Sequence, residues 1–221
     1  MNPLAEILPA TVATAVRFDD EGVGPLHPDE EPAVAKAVAT RRAEFTTARS
    51  CAREALAALG APAAAVPVGE KRSPVWPDGV VGSITHTAGF RGAAVARRVD
   101  VRSVGVDAEQ HGPLPDGVLG AVSSPEERAV LARLGAEHPD VHWDRLLFSA
   151  KESVYKTWYP LTGRWLGFEE AVLTPSPDGT FRALLLVPGP VVDDELRAEF
   201  HGRWAVCGAH IVTGIALEAQ G

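Results

Sequence analysis

One stretch limits the possible folds more than any other: Phe148-Ser-Ala-Lys-Glu-Ser-Val-Tyr-Lys-Thr-Trp-Tyr-Pro160. It holds no Gly or Pro before its last residue, which predicts a helix of about three turns ended by Pro160. On that helix Glu152 and Lys156 lie four apart and share a face, with Lys151 and Tyr155 beside them. Phe148, Val154 and Trp158 supply apolar groups for a core. A solvated Glu-Lys pair on an amphipathic helix would read the same way. The rest of the chain decides between the two readings, because it adds two more carboxylates, a histidine and a run of arginines.

At 221 residues the chain is long enough for one large domain or two small ones. Hydrophobic and charged contents of 46% and 23% are those of a soluble globular protein. Cys51 and Cys207 form no disulfide framework and have no metal-ligand neighbour at short spacing, so both are expected to be apolar filler in a reducing compartment. No basic-then-apolar leader opens the sequence and no apolar run approaches about eighteen residues, so a cytoplasmic protein away from membranes is expected. The net charge of −8 argues against nonspecific nucleic-acid binding. That average hides a pattern. Residues 1–35 carry one basic and seven acidic side chains, residues 36–102 eleven and five, and residues 103–221 nine and seventeen. A basic middle and an acidic C-terminal half suit an anionic ligand held by one part and a cation held by the other.

Read in order, the chain predicts a strand over Thr11–Arg17 and an acidic loop. A long Ala-rich helix then spans Pro32–Leu59, closed by Gly60-Ala-Pro62. Val34, Val38, Phe45, Cys51, Ala55, Leu56 and Leu59 are its core-side positions. Arg41, Arg42, Arg49 and Arg53 lie on neighbouring stripes of that helix and would suit a phosphate-rich ligand. Lys71 and Arg72 add charge beside an ordered turn around Trp76. Val80–Phe90 reads as a strand running into a glycine-ended bend, where Ser83, Thr85 and His86 can donate to phosphate oxygens. Two further strands cover Gly92–Arg97 and Val99–Glu109. Alternation places Gly105, Asp107 and Glu109 on one side of the second strand and Val104, Val106 and Ala108 on the other. Ser124-Pro-Glu-Glu127 is a helix-start signal after a Gly/Pro-rich connection. Strand-like runs follow at Ala171–Thr174, Phe181–Val187, Trp204–Ala209 and Ile211–Leu217. The lengths fit two α+β lobes, 1–103 and 104–221.

Asp107, Glu109 and Glu152 together form an oxygen-only ligand set, which favours Mg²⁺ over zinc. Lys151 and Lys156 stand beside it, and His86 with the arginines makes an anion cradle. Such a pattern points to Mg²⁺-dependent chemistry at a phosphate or pyrophosphate, with the substrate open.

Three motifs in order resemble those of the 4′-phosphopantetheinyl transferases of the surfactin-synthetase and enterobactin type. They are Trp76-Pro-Asp-Gly-Val-Val-Gly-Ser-Ile-Thr-His86-Thr-Ala-Gly89, Val104-Gly-Val-Asp107-Ala-Glu109, and Phe148-Ser-Ala-Lys151-Glu152-Ser-Val-Tyr-Lys156. With Arg164-Trp-Leu-Gly-Phe168 the likeness covers most of residues 41–168. It implies two similar α/β lobes related by a pseudo-twofold axis, with coenzyme A as substrate in the cleft between them. It also implies an apo acyl or peptidyl carrier protein as the acceptor, Mg²⁺ or Mn²⁺ as cofactor, and a monomer. Asp107, Glu109 and Glu152 would hold the metal, with water completing the shell where Ala108 offers no ligand. Glu152 would take the serine proton, directly or through a water, and Lys156 would neutralise the phosphates. His86, Arg41 and Arg49 would grip the 3′-phosphate, with Lys71, Arg72, Ser83, Thr85 and Lys151 contributing further contacts. The region 110–124 is where a docking surface would be sought. A Mg²⁺ hydrolase or nucleotidyl transferase built on the same carboxylates, or a noncatalytic coenzyme A-binding module, is the rival reading.

Overall fold

The computed structural model describes residues 2–62 and 64–220. Helix α1 (Pro3–Ile7) and strand β1 (Val12–Arg17) open the chain. A single 3₁₀ turn, Glu31–Val34, precedes helix α2 (Ala39–Ala58). Strands β2 (Val80–Thr87), β3 (Phe90–Arg97) and β4 (Val101–Gln110) follow, then helices α3 (Val118–Val122), α4 (Pro125–Glu137) and α5 (Trp143–Thr162). The rest is strands: β5 (Ala171–Pro175), β6 (Thr180–Leu185), the small hairpin β7 (Val191–Val192) and β8 (Glu195–Leu196), β9 (Glu199–Cys207) and β10 (His210–Glu218). The fold is α+β. One antiparallel sheet has the order β1-β3-β2 and a larger one the order β4-β10-β9-β6-β5.

Each sheet buries one face under a long helix. The small side chains Cys51, Ala52 and Ala55, with Leu56, let α2 settle against Ala93, Val95 and Val80 of the first sheet. Helix α5 puts Leu146, Leu147, Ala150, Val154 and Trp158 into the larger core with Phe181, Phe200, Ile211 and Ile215. A third cluster joins the two sheets: Leu4, Ile7 and Leu8 pack with Phe90 and Ala94 from the first and with Val104, Val106 and Val212 from the second. Strands β2 and β4 meet without a shared backbone ladder. Side-chain hydroxyls replace it, as Ser83 Oγ accepts from the Val106 N–H (3.1 Å) and Thr85 Oγ1 from the Ala108 N–H (3.0 Å).

Several boundaries differ from the expectations, each for a physical reason. The long helix begins at Ala39, not Pro32, because Val38 is extended (φ −64°, ψ 156°) and points to solvent instead of the core. Residues 27–34 are pinned separately by Glu30. Its fully buried carboxylate accepts from the His27 N–H, the Val66 N–H and Arg53 Nη1. Helix α5 starts five residues before Phe148, at Trp143, where His142 provides no side-chain cap for the sequence to betray. Pro160 does not end it. The proline removes one amide donor within the last turn, and the helix stops at Gly163, left-handed at φ 64°, whose N–H bonds the Tyr159 carbonyl. Strand β9 begins at Glu199, ahead of Trp204, because the Phe181 ring lies over Gly202 and supplies the packing that the glycine lacks. The capping box at Ser124 and Glu127 is formed as expected.

Candidate active site

Gly105 determines how closely α5 approaches β4. A Cβ there would collide with the Ser153 carbonyl oxygen and the Thr157 hydroxyl, so only glycine allows this contact. The approach brings Glu152 and Lys156 of the helix to Asp107 and Glu109 of the strand.

Asp107 is buried and bonded through both oxygens. Its Oδ1 accepts from Lys156 Nζ (2.8 Å) and Thr85 Oγ1 (3.2 Å), and its Oδ2 accepts from Ser149 Oγ (2.9 Å). Behind it, Ser149 and Ser153 share the buried hydroxyl of Thr213, which sits opposite Asp107 in the β4–β10 register. Lys156 also donates to the Val106 carbonyl (3.0 Å). Glu109 accepts from Arg145 Nη1 (3.0 Å). Burial, then the Asp107 charge, holds the Glu109 carboxyl above the usual carboxylate range despite Arg145. Burial and Asp107 raise Glu152 likewise, with Lys156 opposing and Glu109 adding to the rise.

Three half-buried or buried carboxylates in one field, with no thiol or imidazole among them, are a donor set suited to a hard divalent cation. Such an ion would offset the burial and the Asp107 repulsion that together raise two of their proton affinities. The expected cage is not closed, however. Among the described residues no three such side chains are gathered at ligating distance, with Asp107 turned to Lys156 and Glu109 to Arg145.

Residues expected to hold an anion are brought together. A cavity of about 440 Å³ is lined by Arg41, Arg49, Arg72 and His86, with Phe45 and Ile84 as apolar walls. Arg49 is 5% exposed and lies over the Phe45 ring at 4.3 Å. Its Nε has no hydrogen-bond partner, and burial lowers its pKa to about 10. A buried guanidinium in the wall of a cavity, with one N–H left without a protein acceptor, has the chemistry to attract an anion. Arg41 Nη1 lies 2.6 Å from His86 Nε2. Burial, then Arg41, pushes His86 down to about 4, Glu44 opposing, so the imidazole is neutral and accepts from the guanidinium. The other two arginines of the helix are engaged elsewhere, Arg42 with Glu31 and Arg53 with Glu30.

A second cavity of about 420 Å³ shares Arg72, Pro74 and Ile84 with the first as lining and is bounded by Glu152 and Lys156 among others. Lys71 and Arg72 line its rim from left-handed backbone (φ 50° and 65°), an unfavourable conformation for residues other than glycine. Arg98, Arg102, Tyr155 and Tyr159 also line it. The sequence marked neither of these two arginines, since their place follows from the turn between β3 and β4. A smaller cavity of about 250 Å³ lies beside Glu152, walled by Tyr155, Trp165, Leu166 and Phe168.

Two expected phosphate contacts, those of Lys151 and Thr85, are corrected. Lys151 is 4% exposed and donates to Glu127 Oε2 (3.0 Å) and to the Phe168 (2.7 Å) and Ala171 (3.1 Å) carbonyls, leaving no donor for the cleft. Thr85 is buried, accepts from the Ala108 N–H and sends its hydroxyl proton to Asp107, whereas Ser83 accepts from the Val106 N–H and also lines the cavity that holds Glu152 and Lys156. Arg145 on Glu109 and Ser149 on Asp107, with Thr213 behind Ser149, were not foreseen. Only Ser149, inside the Phe148–Lys156 motif, carried a signal in the sequence.

Two family models match the chain. The 4′-phosphopantetheinyl transferase N-terminal domain covers residues 29–96, and the 4′-phosphopantetheinyl transferase superfamily covers residues 103–208. The chain belongs to the 4′-phosphopantetheinyl transferase superfamily. It is 56% identical to the 4′-phosphopantetheinyl transferase Svp of Streptomyces mobaraensis over 98% of this chain and 89% of that one. Identity to the 4′-phosphopantetheinyl transferase PptT of Mycobacterium tuberculosis is 48%, over 97% of both chains. Identity to the enterobactin synthase component D of Salmonella typhi is 37%, over 67% of this chain and 60% of that one. With this likeness along nearly its whole length, the protein is an enzyme of the 4′-phosphopantetheinyl transferase class.

Proposed function

We propose that the protein transfers the 4′-phosphopantetheine arm of coenzyme A to a serine hydroxyl of apo acyl and peptidyl carrier proteins, in a Mg²⁺-dependent reaction that releases 3′,5′-ADP. The observation that carries this reading is a pair of adjoining cavities with different linings, joined at Arg72. Arg41, Arg49 and neutral His86 line the first, and Glu152 and Lys156 line the second, with Asp107 bonded behind Lys156. A nucleotide 3′-phosphate suits the first and a pyrophosphate the second. The apolar cavity beside Glu152 suits the pantetheine arm. Asp107, Glu109 and Glu152 would hold the divalent cation, for which Mn²⁺ is the alternative. When bound, it would neutralise charge on the pyrophosphate.

The protein's own groups supply the rest. The serine oxygen bonds to the phosphorus that carries pantetheine, the bond from that phosphorus to the bridging oxygen breaks, and 3′,5′-ADP leaves with the electron pair. Glu152 is the acceptor for the serine proton, directly or through a water. Among the described residues no protein donor bonds its carboxylate, and its raised proton affinity makes it a stronger base than an ordinary glutamate. Lys156 is aimed by Asp107 and the Val106 carbonyl at the same place and stabilises the growing charge.

In this reading the enzyme is a cytoplasmic monomer with carrier proteins, not nucleic acid or membrane, as partners. Its two halves, 1–103 and 104–221, are related by a pseudo-twofold axis, each a sheet under a twenty-residue helix. The test is the intact mass of a purified apo carrier protein after incubation with enzyme, coenzyme A and Mg²⁺. The expected gain is about 340 Da, one phosphopantetheine, lost with EDTA or with Glu152→Ala. Turnover of coenzyme A without any gain in carrier mass would favour a hydrolase instead.

A further inference from the structure

The first turn of α5 grips the segment that follows β4. Arg145 sends its planar guanidinium in three directions: Nη1 to Glu109 Oε2 (3.0 Å), Nε to the Gly112 carbonyl (3.1 Å) and Nη2 to the Pro113 carbonyl (2.6 Å). Its neighbours help. Asp144 Oδ2 accepts from the Leu114 N–H (2.8 Å), and the His142 N–H donates to His111 Nε2 (3.3 Å). The side chain of Arg145 is only 17% exposed. One residue thus holds both a carboxylate of the candidate cation site and the backbone of the adjoining loop.

We infer that Arg145 is a positioning residue that fixes the Glu109 carboxylate and the 111–114 loop in one arrangement, so that cation binding and order in this loop are coupled. The inference rests on the reading of Glu109 as a cation ligand. Nη1 occupies one carboxylate oxygen and leaves Oε1 for an ion, which is the part played by hydrogen-bonding partners behind metal ligands. Losing such a partner costs roughly 10- to 100-fold in metal affinity. A lysine cannot replace it, since a single ammonium on a flexible stem cannot span a carboxylate and two carbonyls. Coupling of this kind is reciprocal: whatever the loop does to cation affinity, the cation does to the loop. Exposed loop residues such as Pro113 and Pro115 thereby gain a direct link to the reacting end of the cleft.

The experiment compares the full-length protein with Arg145→Met and Arg145→Lys, titrating Mn²⁺ by loss of the free-ion electron paramagnetic resonance signal. Amide hydrogen exchange at Gly112 and Leu114 is followed with and without Mn²⁺. Both variants are expected to bind Mn²⁺ about ten-fold or more weakly. Their loop amides should exchange faster, and Mn²⁺ should slow that exchange in the wild type alone. Equal or tighter Mn²⁺ binding by Arg145→Met would make Arg145 a counter-charge only and overturn the inference. Retention of wild-type affinity and loop protection by Arg145→Lys would overturn it too, since charge alone would then suffice. If either property changes without the other, the coupling is absent. Wild-type protein that binds no Mn²⁺ overturns this inference and the cation reading together, whereas wild-type binding with indifferent variants overturns the inference alone.

Discussion

His86 shows how one side chain can be set by its surroundings before any ligand arrives. Burial and the adjacent Arg41 hold its pKa at about 4, against an ordinary value of 6.5. Because the folded-state value is depressed, the unfolded chain takes up the proton first, and stability falls as pH drops from 6.5 toward 4. One third of the side chain is exposed, so solvent screening discounts the effect to about 1 kcal/mol at pH 5. Urea unfolding at pH 7 and pH 5 checks this. His86→Gln should lose less stability on acidification than the wild type by about that amount, and an equal loss would refute the neutral imidazole. Arg49 illustrates the same preparation by other means, since its unpaired Nε has given up its hydration without receiving a protein acceptor. Both residues were identifiable from their spacing and polar neighbours. That Arg42 and Arg53 would be consumed by Glu31 and Glu30 was not, because those partners come from a segment whose path over the helix no local pattern encodes.

At the scale of elements, the buried Glu127–Lys151 pair is the junction. Glu127 Oε2 accepts from Lys151 and from the Ser124 N–H, and Oε1 accepts from the Leu173 N–H, so one carboxylate ties together the start of α4, the middle of α5 and β5. Lys151→Met leaves that carboxylate buried without its cation and should cost about 3 kcal/mol. Adding Glu127→Leu should recover part of the loss, as denaturant midpoints would show. A raised KM for coenzyme A at unchanged stability would instead place Lys151 at the substrate. The motif identified the helix and its functional face, yet it could not say which lysine faces the cleft. Lys151 and Lys156 differ by five positions, about 140° around the helix, and only the packing of α4 and β5 decides which of the two is buried. The helix ends were equally hidden: Trp143 has no capping side chain before it, and Pro160 falls where a single lost donor is tolerated.

Across the whole molecule, charge segregation along the chain was legible, although Lys71, Arg72, Arg98 and Arg102 of the basic segment line the same cavity as Glu152 and do not stand apart from it. The joint between the halves was not legible. Thr85 read as a candidate phosphate donor because a hydroxyl has the same chemistry at a ligand as at a neighbouring strand, and only the approach of β4 assigns it to the seam. The five-stranded order β4-β10-β9-β6-β5 was beyond pattern reading as well, since its first two members are separated by about half the chain.

That seam has a consequence for the covalent continuity of the protein. The chain crosses between sheets at the exposed turn 98–100, where Val99 is 71% exposed, while α1 of the first half lies against Gly214 of the second. With the halves joined by an apolar clasp and by hydroxyls, the peptide link at the turn is mechanically redundant. Brief trypsin treatment should cut after Arg98 and yield two fragments that elute together on gel filtration and part only in denaturant. Fragments that separate in buffer would show that the link, not the clasp, keeps the cleft whole.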